Sequence, residues 1–165
     1  MSDQKMKLKN ILESINNSPI DILYNGYIEY LRKKFGITRK ISLKRKNLKG
    51  NSFGHFDNTN TITIDKDRGV SIALVDIGHE MVHVKQVEHG DLIIAAQSIT
   101  WKGTEYSLQK YVKNKDYSIH AKWPWEKEAY EKQKILKNDF LQSNEYDEIM
   151  NSNPTLKYMK QHDLI

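Results

Sequence analysis

The stretch VSIALVDIGHEMVHVKQVE, residues 70–88, decides how the rest of the chain is read. Val70, Leu74, Ile77, Met81 and Val84 recur at three- and four-residue intervals, the period of an amphipathic helix, and Gly90 follows as a stop signal. Inside that helix His79 and His83 are four residues apart, so both imidazoles leave one face about one turn from each other and can reach a single metal ion. Glu80 lies beside them at an offset that suits proton transfer from a metal-bound water better than ligation. Asp76, one turn before His79, is expected to be exposed.

Outward from this helix the pattern is α+β. Upstream, Leu8, Ile11, Leu12 and Ile15 predict a short helix that ends at the break Asn16-Asn17-Ser18-Pro19. A second helix follows, capped by Ser18, with Leu23, Tyr27 and Leu31 in a stripe and Gly36 at its end. Alternating residues at Ile41 and Leu43, a run from Phe53 to Phe56, and Ile62 and Ile64 predict a three-strand meander, with Asn58-Thr59-Asn60 as the last turn and Lys44 and Lys46 on one face. Downstream, residues 92–99 read as a strand, and Trp101-Lys102-Gly103-Thr104 as a hairpin turn. Pro124 then opens a helix with Trp125, Ala129, Leu136 and Phe140 on one side. Residues 1–142 are expected to form one domain, and 143–165, polar and broken by Pro154, a loosely attached tail.

Composition narrows the chemistry. The 165 residues are 38% hydrophobic and 28% charged, as in one folded globular domain. The chain has no cysteine, so a metal must be held by His, Asp or Glu. The polar start, MSDQKMKLKN, lacks the apolar core of a signal peptide, and no run is long enough to span a membrane, so a soluble cytoplasmic monomer is expected. Net charge is +5, and nine Lys or Arg with no Asp or Glu fall between Arg32 and Lys49. That segment is either a solvated basic surface or a contact for nucleic acid.

Two histidines and a water need a third protein ligand. His89 has the outer spacing of HExxHxxGxxH, but Gln86 stands where glycine would permit the chain to turn back to the metal. On the later helix Glu128 falls beside Ile135 at the edge of the apolar stripe, whereas Glu126 falls with Tyr130 and Lys137 on the side expected to be wet. Glu128 is therefore preferred, with His89, His120 and Glu126 as alternatives.

The segment HEMVHVKQVEHG, the hairpin ITWKGTEY and the helix PWEKEAYEKQ together resemble the zinc metallopeptidases of minimal gluzincin type found in tailed-phage genomes. The resemblance covers about residues 72–133. It implies a zincin-like fold, a small mostly antiparallel sheet on an active-site helix with flanking helices. It further implies Zn2+ on His79, His83 and Glu128, Glu80 as general base toward a zinc-bound water, peptide or protein substrates, and a place in the host cytoplasm or the virion. Tyr130, Tyr106, Tyr111 and His120 are candidates for a second oxyanion donor. The rival expectation is a non-enzymatic protein that binds nucleic acid through the basic segment or holds zinc for structure alone.

Overall fold

A computed structural model describes residues 18–48, 54–56, 60–107, 109 and 120–165. The described residues form five helices and two three-stranded sheets, an α+β arrangement. In chain order these are α1 (Pro19–Phe35), β1 (Ser42–Lys46), β2 (Gly54–Phe56), β3 (Thr61–Asp65), α2 (Val70–Glu88), β4 (Leu92–Ile94), β5 (Ser98–Trp101), β6 (Thr104–Ser107), α3 (Pro124–Leu141), α4 (Asn144–Ser152) and α5 (Pro154–Gln161). The expected helix at Leu8 to Ile15 lies outside the described residues.

Local signals set the helix ends. Ser18 Oγ accepts from the Asp21 amide at 3.2 Å, Pro19 occupies the first turn, and Gly36 closes α1 in the left-handed region at φ 66°. α2 spans the residues that the apolar period marks, and Leu74, Ile77, Met81 and Val84 are buried in the main core. Trp125, Ala129, Leu136 and Phe140 of α3 are buried as well, so α2 and α3 pack along much of their length.

The meander is not what forms. β1 pairs with β3 in parallel, β2 pairs with β3 antiparallel, and the order is β1-β3-β2. Thr61 to Ile64 are buried on both faces, as suits the middle strand of the sheet better than an edge. β1 alternates exposed and half-buried residues, with Lys44 and Lys46 both on its wet face, and suits an edge. The apolar run at 92–99 also splits: β4 and β5 are antiparallel, with residues 95–97 between them. The hairpin at 101–104 forms as expected, with Lys102 at φ 47° and Gly103 at φ 83°, the positive pair of a tight two-residue turn.

The C-terminal residues do not hang loose. Ser143 and Asn153 cap α4 and α5, accepting from the amides of Tyr146 (3.2 Å) and Leu156 (3.1 Å). Tyr146, Met150 and Leu156 then enter the same core as α1, α2 and α3. Their few apolar residues recur at helical spacing, which makes the segment amphipathic despite its polar average.

Candidate metal centre

α2 presents His79 and His83 to the N-terminal turns of α3. His79 Nε2 and His83 Nε2 are 3.1 Å apart, and Glu126 Oε2 is 3.2 Å from the first and 3.4 Å from the second. Among the described residues these three side chains close into a group that could hold a metal ion. Both outer nitrogens meet side-chain amides: His79 Nδ1 lies 3.1 Å from Gln133 Oε1, and His83 Nδ1 lies 2.8 Å from Gln86 Oε1. An amide oxygen only accepts, so each Nδ1 carries a hydrogen and each Nε2 faces the carboxylate, donating to it when protonated and offering a lone pair to a metal ion when not.

Three electron-rich atoms at these separations repel unless a proton or a metal ion lies among them. In a tetrahedral site with bonds of about 2.0–2.1 Å, ligand atoms are roughly 3.3–3.4 Å apart. The triangle of 3.1, 3.2 and 3.4 Å is close to one face of such a tetrahedron, so this donor set fits a metal ion. Without a metal, a proton is held there. Burial would raise the Glu126 carboxyl, but hydrogen bonds with His79 and His83 outweigh it and hold the group well below the usual carboxylate range. Burial would lower the His83 imidazole, yet hydrogen bonding to Glu126, with the charges of Glu126 and Glu80, raises it to about 9.

Glu80 is buried beside the histidines and does not join the triangle. Desolvation pushes its carboxyl up, against the opposing fields of His83 and His79. It lies against β2, where a Cβ on Gly54 would come within 3.3 Å of Glu80 Oε1, so the absence of a side chain there leaves the carboxylate its place. Tyr130, one turn after Glu126, puts its ring 4.6 Å from that of His79. His120 Nδ1 is 3.7 Å from Glu126 Oε2, at the rim and outside the closed group. Tyr106 instead packs edge-on against Trp123 and Trp125, with ring centroids 5.7 and 5.3 Å away. Tyr111 lies outside the described residues.

Two expected residues stand elsewhere. Glu128 is not in the group: its carboxylate accepts from Gln86 Nε2 at 3.0 Å and from Lys132, with Lys85 at 3.9 Å. Burial would raise its carboxyl, but Lys132 and Gln86 outweigh that and lower it. At 100° per residue Glu126 and Glu128 flank the apolar stripe of α3 on opposite sides. The Glu128 flank includes Ile135, which is 60% exposed, while the Glu126 flank includes Gln133 and Lys137 and faces α2. A polar stripe that serves another helix reads, from sequence, like a solvated one. His89 donates from Nε2 to the Phe35 carbonyl oxygen at 3.0 Å, which ties the end of α2 to α1, away from the site.

Asp76 is not simply exposed, because Arg68 Nε and Nη2 hold its carboxylate at 2.8 and 3.3 Å. The basic segment is dispersed. Arg32 pairs with Glu29, Lys34 with Asp139, Arg39 with Glu88 and Arg45 with Asp21, so four of its cations are engaged within the fold. No helix among the described residues is long and apolar enough to cross a membrane. Compared with protein-family models, with curated proteins and with solved structures, the chain gives no match.

Proposed function

We propose that the protein is a zinc metallopeptidase of zincin type, with His79, His83 and Glu126 as the ligands and Glu80 as the general base. The observation that carries this reading is the triangle of His79 Nε2, His83 Nε2 and Glu126 Oε2, whose lone pairs converge where a cation fits. Zinc in such a place supplies Lewis acidity, toward a water and toward a substrate carbonyl. The residues of the chain do the rest. Glu80 accepts the proton of the attacking water and passes it to the departing amine nitrogen. Its desolvated surroundings raise its proton affinity, which suits a group that must hold a proton briefly and give it up. Tyr130, whose ring lies against His79, and His120 at the rim beside Glu126 are the candidates to donate to the developing oxyanion. Peptide substrates are favoured by β2, which is outermost in its sheet among the described residues and runs past Glu80 at Gly54, alongside the place a substrate chain would take.

The test begins with metal content. Metal-replete wild-type protein should carry about one equivalent of zinc, as a three-ligand site requires. His83→Ala and Glu126→Ala should lose it, and Glu80→Gln should keep it. Cleavage of a mixed peptide library, read by mass spectrometry, should then vanish with chelation and in Glu80→Gln. Wild-type protein without zinc would sink the proposal, and so would a zinc protein whose cleavage survives Glu80→Gln.

A further inference from the structure

We infer that Gln86 is a positioning residue whose buried amide selects the His83 nitrogen that faces the metal and ties His83 to the helical turn bearing Glu126. The inference rests on the metal-site reading above and adds to it the group that orients two of the three ligands together.

The argument follows from what each atom of the amide touches. Gln86 is fully buried, so neither end of the amide can turn to water. Its nitrogen donates to the Trp125 carbonyl oxygen at 3.0 Å and to Glu128 Oε2 at 3.0 Å. Neither partner can donate in return, so the amide cannot flip without setting its oxygen against two other oxygens. Its own oxygen is therefore directed at His83, where it meets Nδ1 at 2.8 Å. Because that oxygen only accepts, the His83 hydrogen belongs on Nδ1, and Nε2 faces His79 and Glu126.

Trp125 is the residue before Glu126, and its carbonyl belongs to the first turn of α3. One side chain thus spans from the second histidine to the backbone that carries the third ligand. Glu128 gains a purpose here without touching the metal. Its carboxylate, fixed by Lys132 and approached by Lys85, is one of the two acceptors that set the direction of the amide. A hydrophobic side chain at 86 would fill the space but leave the His83 hydrogen, the Trp125 carbonyl and Glu128 without this common partner.

Two variants and two measurements test the inference. Zinc affinity is measured by competition with a chromophoric chelator for wild type, Gln86→Leu and Gln86→Glu. The ring nitrogens of His83 are followed in the zinc-loaded proteins by long-range proton–nitrogen NMR correlation. Wild type should coordinate through His83 Nε2 and show a slowly exchanging, downfield Nδ1 hydrogen. Gln86→Leu should weaken zinc binding by about 10–100-fold, the usual effect of losing such an outer contact, and lose that signal. Gln86→Glu retains an oxygen toward His83 and should keep the signal, while it loses the tie to Trp125 and binds more weakly than wild type.

Wild-type affinity and an unchanged His83 signal in Gln86→Leu would overturn the inference and leave the zinc site standing. Coordination through His83 Nδ1 in wild type would do the same, and needs no variant to fold. A wild-type protein that takes up no zinc would overturn both.

Discussion

His83 shows how one residue couples metal, proton and fold. Its imidazole is raised from 6.5 to about 9 in the metal-free protein, so at pH 7.5 the electron-rich triangle is relieved by a proton. The folded value exceeds the unfolded one, so this proton stabilises the metal-free fold fully below about pH 6.5, and the effect is lost as pH rises through about 9. Under the proposed metal site, a zinc ion bound at the triangle would have to displace it. Calorimetric titrations at pH 7.5 in buffers of different ionisation enthalpy should report about one proton released per ion, declining above pH 9. A binding enthalpy indifferent to the buffer would contradict the assignment. Glu80 works in the opposite sense. Its folded pKa is raised, so its ionisation above the ordinary carboxylate range opposes folding. Glu80→Gln should therefore unfold about 2–4 °C higher for each kcal/mol relieved, as well as abolishing cleavage. A lower melting temperature in that variant would mean that attraction to the histidines exceeds the desolvation of Glu80.

At the scale of the element, α1, α2 and α3 come closest at Gly78, next to His79. A Cβ there would lie 2.8 Å from Tyr27 Oη and 3.1 Å from the Gln133 backbone oxygen, and Gln133 is the residue whose amide meets His79. Tyr27 Oη is buried with no hydrogen-bond partner among the described residues. Gly78→Ala should destabilise the protein by about 1–3 kcal/mol through overpacking, despite the better helix propensity of alanine. Tyr27→Phe should be neutral or stabilising by about 1 kcal/mol, because it removes an unsatisfied hydroxyl. In the double variant part of the Gly78→Ala loss should return, a coupling that urea unfolding of the four proteins would measure. Strict additivity would place the clash at Gln133 alone. The same helices show what the sequence discloses and what it hides. Ser18, Gly36 and the apolar period of α2 act within a turn or two, so α1, α2 and the His79/His83 pair are legible from local pattern. The pairing of β1 with β3 instead of β2 is a nonlocal fact that no residue of β1 announces. Choosing between Glu126 and Glu128 needs the side from which α2 approaches α3, and the apolar stripe between them is silent on that.

For the whole molecule, the C-terminal helices decide how far the fold extends. Gly26 of α1 lies so close to Ile149 of α4 that a Cβ would meet its Cδ1 at 2.2 Å, a contact that requires α4 to be seated closely on α1. Tyr146, Met150 and Leu156 together cover the side of the core that α1 and α3 would otherwise expose, with Tyr146 against Phe140 at 5.5 Å between ring centroids. Burying each such side chain is worth about 1.5–3 kcal/mol, so the three together, about 4.5–9 kcal/mol, are comparable with the roughly 5–15 kcal/mol that holds a domain folded. Residues 143–165 are therefore expected to unfold together with the core that α1, α2 and α3 share. A chain ended at Gln142 should lose its cooperative thermal transition, or melt far below the full chain, in circular dichroism. Gly26→Leu should lower the melting temperature of the full chain by forcing α4 off α1, and should leave the truncated chain indifferent to the change. If the truncated chain instead melts like the full one, the core is closed by α1, α2 and α3 alone, and the C-terminal helices are an independent attachment.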